Sequence, residues 1–189
     1  YIDKTRDGAY LVLDVASIET TEVYLLDANA PQTAVFQRIT PRDKNVQYAI
    51  SHRNGTLYIV TNWQAQNFRL MTTPANTPSR DHWQEMIPHH PNVMLDDVDL
   101  FANQMVLHER ENGLTTMRIY TFETGEFTAV SFPEPVYTYS PSDNPEFNTN
   151  TIRIVYTSLT TSDSDYDINL NTLQWALVKQ EPVLGGYSA

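Results

Sequence analysis

The chain has 189 residues, no cysteine and a net charge of −11, from 12 Lys+Arg against 23 Asp+Glu. The missing thiols exclude disulfides, thiolate metal sites and Cys nucleophiles, and the acidic balance argues against nucleic acid, whose phosphates need basic patches. Hydrophobic residues make up 41%, an ordinary globular share, and no apolar run approaches the roughly 18 residues of a transmembrane helix, so neither disorder nor a membrane span is expected.

The chain opens on Tyr1-Ile2-Asp3-Lys4, without Met, a basic n-region or an apolar h-region, and is read as internally cut with no signal peptide. Short runs of apolar, β-branched and aromatic residues follow, broken by Asn, Gly, Pro and Asp, which is strand-and-turn chemistry. Residues 1–4 are a strand remnant, followed by predicted strands over 10–15, 22–27 and 34–39. A second set covers 46–51, 56–61, 68–73 and 83–87, a third 93–100, 105–109, 116–122 and 127–132. The last covers 136–139, 152–157, 166–170 and 173–179.

The turns Asp7-Gly8, Asn54-Gly55, Ala102-Asn103 and Asn148-Thr149-Asn150 precede equivalent segments that begin at positions 9, 56, 104 and 151, a period of 47 or 48 residues. Asn54-Gly55-Thr56 has the form of a glycosylation sequon, but Asn-Gly between two apolar runs reads as a hairpin turn. A four-stranded meander repeated at this period is the pattern of propeller blades. Its evenness favours a propeller over a β-sandwich, whose turns also recur every roughly 8–12 residues. The expected fold class is all-β, a β-propeller fragment of about four blades of four-stranded antiparallel meanders. The units are 1–39, 46–87, 93–132 and 136–181, with a tail at 182–189.

His89-His90 is the most metal-like feature, but neighbours on a strand point to opposite faces, and Pro88 and Pro91 make this a loop. His52, His82 and His108 are isolated and read as structural. Asp163, Asp165 and Asp167 invite a calcium reading, yet Ile168 and Gln174 stand where an EF-hand needs Gly and Glu. Asp96, Asp97 and Asp99 lie in an opening strand and could face a central channel, whose acidity would attract basic peptides, although a solvated rim is the blander reading. Trp63, Trp83 and Trp175 are read as contacts between blades. None of the six glycines brackets a Ser as G-x-S-x-G, so no hydrolase elbow is present. The expectation is no catalytic, cofactor-binding or metal residue in this chain and no cofactor.

The segments Thr56-Leu-Tyr-Ile-Val-Thr-Asn62, Asn67-Phe-Arg-Leu-Met-Thr-Thr73, His108-Glu-Arg-Glu-Asn-Gly-Leu114, Glu134-Pro-Val-Tyr137 with Asn144-Pro-Glu-Phe147, Tyr156-Thr-Ser-Leu-Thr-Thr161 and Leu177-Val-Lys-Gln-Glu181 resemble the propeller of oligopeptidase B (protease II), in the prolyl oligopeptidase family of serine peptidases. One departure is Ser162, where the family commonly has Pro after the Thr, which leaves that turn freer. The resemblance implies a seven-bladed parent propeller over an α/β-hydrolase domain that carries Ser, Asp and His. This chain would be about its last four blades, C-terminal in the N-terminal propeller, with Val183-Leu-Gly-Gly-Tyr187 leading toward the absent hydrolase domain. The implied function is non-catalytic gating of substrate access in an enzyme that cleaves short peptides after Lys or Arg. The implied partners are that catalytic domain and short basic peptides, not nucleic acid or a membrane, with self-association through open edges. The implied location is the cytoplasm, with the periplasm as the other option. The alternative is a stand-alone propeller that binds a protein or glycan. It is weakened by a tail, with Pro182, Gly185 and Gly186, that is poorly suited to close a ring.

Overall fold

The computed structural model describes residues 1–183 and 185. Its strands form four antiparallel meanders, each hydrogen-bonded in chain order. The first sheet holds β1 (Ile2–Lys4), β2 (Tyr10–Ala16), β3 (Thr21–Asp27) and β4 (Gln37–Arg38). The second holds β5 (Tyr48–Arg53), β6 (Thr56–Thr61), β7 (Arg69–Pro74) and β8 (Gln84–Ile87). The third holds β9 (Val93–Leu100), β10 (Gln104–Glu111), β11 (Leu114–Thr121) and β12 (Glu126–Ala129). The fourth holds β13 (Tyr137–Pro141), β14 (Thr151–Ser158), β15 (Ser164–Asn169) and β16 (Trp175–Gln180). A 3-10 turn at Arg80–His82 is the only helical element among the described residues.

The sheets stack face to face because their second strands alternate. On β6, Leu57 and Ile59 pack with Val23 and Leu25 of the first sheet, while Tyr58 and Val60 face Val98, Leu100, Met105 and Leu107 of the third. On β10, Val106 turns the other way and joins Ile152, Ile154 and Tyr156 of the fourth. Successive side chains on a strand point to opposite faces, so a strand covered on both sides must be apolar throughout. β14 ends the stack and alternates instead: Ile152, Ile154 and Tyr156 are buried and Arg153 is exposed.

Turn chemistry sets the registers. Asn54 and Gly55 have φ of 49° and 77°, and Asn112 and Gly113 have 53° and 81°. Two successive left-handed residues make the hairpin turn whose twist matches its strands. The pairs Arg53–Thr56 and Glu111–Leu114 close directly over these turns.

Several predicted strand ends move, each for a local reason. Strands predicted from residues 46, 68 and 173 begin at Tyr48, Arg69 and Trp175. Phe68 and Leu173 have φ of 61° and 60°, outside the extended region a strand requires, and the Val46 amide donates to the Asp43 carbonyl at 3.3 Å, which keeps Val46 in a turn. The strand predicted over 34–39 shrinks to Gln37–Arg38, because the Ala34 amide donates to the Pro31 carbonyl at 2.8 Å and turns the chain. Ile39 still packs, at 2% exposure. On β9, His108 faces Asp97 and Glu109 faces Leu95, so Asp96 is a bulged extra residue. The bulge switches the parity and lets Leu95, Val98 and Leu100 share one face.

The joint between third and fourth sheets is also polar. Glu134, in the connection from β12 to β13, accepts from the Tyr156 hydroxyl at 2.7 Å, from Thr161 at 3.0 Å and from Thr160. Hydroxyls of Ser158, Thr160 and Tyr156 pull its carboxyl down to about 2. The Ser162 hydroxyl donates to the Glu181 carbonyl at 2.7 Å, fastening that turn to the end of β16. Of the tail, residues 184 and 186–189 lie outside the described residues, so the predicted exit at 183–187 has no structural account.

Two measurements check this packing. Ile154→Ala, at a fully buried site, should cost about 2–5 kcal/mol in urea denaturation, whereas Ile18→Ala, at 93% exposure, should stay within about 0.5 kcal/mol. A carboxyl held below its ordinary 4.5 stabilises the fold fully above that value and loses the contribution as pH falls toward about 2. The melting temperature of the native chain should therefore exceed that of Glu134→Gln at neutral pH, and the gap should close across that window.

Candidate functional site

The first strand of every meander lies at the inner edge of the stack. A cavity of about 760 Å³ opens there, lined by Lys4 and Arg6 at β1, His52 on β5, Asp97 and Asp99 on β9, and Asp143 after β13. Asp3 and Asp14 add to its wall, so carboxylates outnumber Lys4 and Arg6. A concave, carboxylate-lined surface with low-dielectric walls concentrates cations near it.

The turns between first and second strands carry side chains from one sheet to the next. His52 Nδ1 lies 2.6 Å from Asp7 Oδ2, while its Nε2 accepts the Gly55 amide at 3.0 Å. The bare Nε2 makes Nδ1 the protonated nitrogen, donating to Asp7. Arg53 donates from Nε to the Ala102 carbonyl at 2.9 Å and stacks 3.7 Å over the Phe122 ring. Gln104 donates to Asn171. These contacts join first to second, second to third and third to fourth sheet along one rim.

Asp99 is the most connected carboxylate. Its Oδ2 meets His108 Nε2 at 2.9 Å, its Oδ1 pairs with Arg6, and His108 Nδ1 lies 3.1 Å from the Tyr139 hydroxyl. Tyr139 donates onward to the Thr116 carbonyl at 2.8 Å. Burial works to raise the Asp99 carboxyl, but the hydrogen bond from His108 and the charge of Arg6 outweigh it and hold it below the usual range. Burial likewise pushes Asp97 up, and there the like charge of Asp99 adds to the effect against a hydrogen bond from the Val98 amide. Asp97 is open to water inside the cavity, so the enclosing walls, not loss of all solvent, disfavour its charge. Burial also raises Asp14, one of whose oxygens has no partner.

Of the residues weighed from sequence, Asp97 and Asp99 line the cavity, whereas the bulged Asp96 turns to Arg110 in a bidentate pair at 2.7 and 2.8 Å. Asp163, Asp165 and Asp167 do not converge: Asp167 pairs with Arg153 at 2.8 and 2.9 Å, and Asp165 sits opposite Lys179. His90 accepts the Asn92 amide in its loop, and His82 meets Ser79 at 2.9 Å. Among the described residues no group of three or more His, Cys, Asp or Glu could hold a metal ion. Trp83 is buried with Tyr48 in the joint of first and second sheets, with Trp63 beside it, and Trp175 packs on Tyr156 and Tyr166 in the fourth. The sequence reading missed Arg6 and the link from His108 to Asp99. The available signal was His108 directly after the apolar run Met105–Leu107, since a buried imidazole needs polar partners.

Stacked four-stranded meanders whose first strands surround a common cavity define a β-propeller segment. Residues 1–181 match the prolyl oligopeptidase N-terminal β-propeller domain, and the chain belongs to that family. It is 32% identical to dipeptidyl aminopeptidase BI of Pseudoxanthomonas mexicana over 97% of its length, and 28% identical to Protease 2 of Moraxella lacunata over 99%. It covers only 25% and 26% of those proteins. Oligopeptidase B of Trypanosoma brucei, in a closed form with covalently bound antipain, superposes over the whole chain with a TM-score of 0.90 at 27% identity. Oligopeptidase B of Leishmania major does so at 0.89 and 26%. The chain covers 28% of each of these two structures. It is thus an oligopeptidase B-like N-terminal propeller segment.

The electrostatic coupling in the cavity has a direct readout. Asp99→Asn removes the like charge beside Asp97, so the Asp97 carboxyl should titrate lower than in the native chain. Carboxyl-carbon NMR across an acid titration reports it, and an unchanged or raised Asp97 midpoint contradicts the coupling.

Proposed function

We propose that this chain gates substrate access in a serine peptidase that cleaves short peptides after Lys or Arg, and that it holds no catalytic residue itself. The convergence of three inner strands and the segment after β13 on one acidic cavity carries the reading. In a chain of this family, such a cavity suits the passage of short basic peptides and excludes folded proteins by size. The relatives' names, Protease 2 and oligopeptidase B, support peptide hydrolysis as the activity of the longer protein. In this reading the units 1–39, 46–87, 93–132 and 136–181 are blades of a larger propeller. The partner is an α/β-hydrolase domain of the same polypeptide, reached through the tail at 182–189, and the setting is cytoplasmic.

Gating rather than catalysis is supported by the polar groups of the cavity. They include carboxylates held by Arg, His and amide partners, and among the described residues no Ser or Thr hydroxyl bonds to a cavity histidine: the two histidines near the cavity pair with Asp7 and Asp99. The chain by itself should neither hydrolyse Arg- or Lys-peptide amides nor react with a serine-directed phosphonate. Stoichiometric phosphonate labelling, read by intact mass, would sink the proposal.

A further inference from the structure

We propose that the third sheet carries a binding seat for a guanidinium group, filled here by the chain's own Arg6, and that a guanidinium from another molecule takes this place when Arg6 swings out.

The seat is assembled from three recognition elements next to one another on β9 and the turn after it. Asp99 supplies a carboxylate, the Leu100 carbonyl accepts from Arg6 Nη1 at 3.1 Å, and the Phe101 ring lies 4.8 Å from the guanidinium carbon. A planar group with several fixed donors and a stacking face satisfies all three at once. An ammonium, a compact point charge, cannot bond in the plane and stack at the same time.

The seat does not depend on Arg6 for its shape. Asp99 is oriented from behind by His108, which is oriented by Tyr139, and Tyr139 is anchored on the Thr116 carbonyl. His108 and Tyr139 are buried, and Leu100 and Phe101 are 1% and 0% exposed, so the walls are packed core.

The occupant, by contrast, is a visitor. Arg6 belongs to the turn between β1 and β2 of the first sheet, yet these contacts are all to the third sheet and its first turn. The other rim contacts join neighbouring sheets; this one passes over the second. Its side chain remains 22% exposed and lines the cavity, so a competitor reaches the seat from solvent. The backbone under Arg6 is held independently: Asp7 is bound by His52 and by the Thr5 hydroxyl, and the Gly8 amide donates to the Thr5 carbonyl at 2.7 Å. The side chain leaves without unfolding its turn.

The test is chemical replacement. The native chain and Arg6→Ala are titrated with ethylguanidinium, with ethylammonium as the control cation, and the imidazole NMR signals of His108 are followed. Arg6→Gln, which keeps a long polar stem, serves as a second vacated form should alanine loosen the turn. A vacated form should bind ethylguanidinium saturably, at least about tenfold more tightly than the native chain and about tenfold more tightly than ethylammonium. Adding Asp99→Asn should abolish this binding. The idea is overturned if neither vacated form shows saturable binding, if ethylammonium binds as well, or if binding survives Asp99→Asn. No peptide is hydrolysed in this experiment, so its failure would leave the gating reading standing.

Discussion

A four-stranded antiparallel sheet has two faces and no thickness, and everything else in this chain follows from the need to cover them. A single meander leaves half of its alternating side chains in water. Here the second strands of the two inner meanders, β6 and β10, resolve the problem by projecting apolar residues to both sides. Leu57 and Ile59 go one way and Tyr58 and Val60 the other; Met105 and Leu107 oppose Val106 in the same manner. Sheets built this way stack on both neighbours. Interaction between adjacent repeats thereby replaces a single central core.

Stacking by the second strands fixes where the first strands go. They lie at the inner edge and bound the cavity. Polar side chains occupy that edge, and burial sets their terms. Asp99 keeps its charge because Arg6 and His108 stand against it, whereas Asp97, lacking such partners and next to Asp99, holds its proton more readily. The carboxylates give the cavity its sign, and the rim contacts from Asp7, Arg53 and Gln104 keep successive inner edges in place. The result is an acidic cavity along the inner edge of the stacked sheets.

Much of this architecture was legible in the residues because it rests on local rules. The repeat of 47 or 48 residues, the Asn-Gly turns at Asn54 and Asn112 and the two-sided run Thr56–Thr61 all report on backbone conformation and alternation. Where the reading of strands went astray, a local exception was responsible. Phe68 and Leu173 adopt left-handed conformations that bulky residues disfavour, and Pro31 turns the stretch that was expected to be the first sheet's edge strand. The acidic run Asp96–Asp99 reads as part of an opening strand, either facing a channel or forming a solvated rim, the blander reading; in the structure Asp97 and Asp99 line the cavity. The bulge that sends Asp96 away to Arg110 left no mark in composition or period.

The sequence by itself determined the class of fold, the number and order of its meanders and the turns that join them, since each of these is written in near neighbours or in a repeat; the peptidase family came from the resemblance of its segments to known members. Only the tertiary structure decided which charges meet. Arg6 and Asp99 are 93 residues apart, His108 and Tyr139 are 31 apart, and Asp7 and His52 are 45 apart. Their contacts depend on how four sheets sit against one another, a distance of a few ångströms set by side-chain packing along the whole stack. No pattern along the chain encodes that distance, because the groups that set it are the apolar residues between the sheets and not the charges themselves.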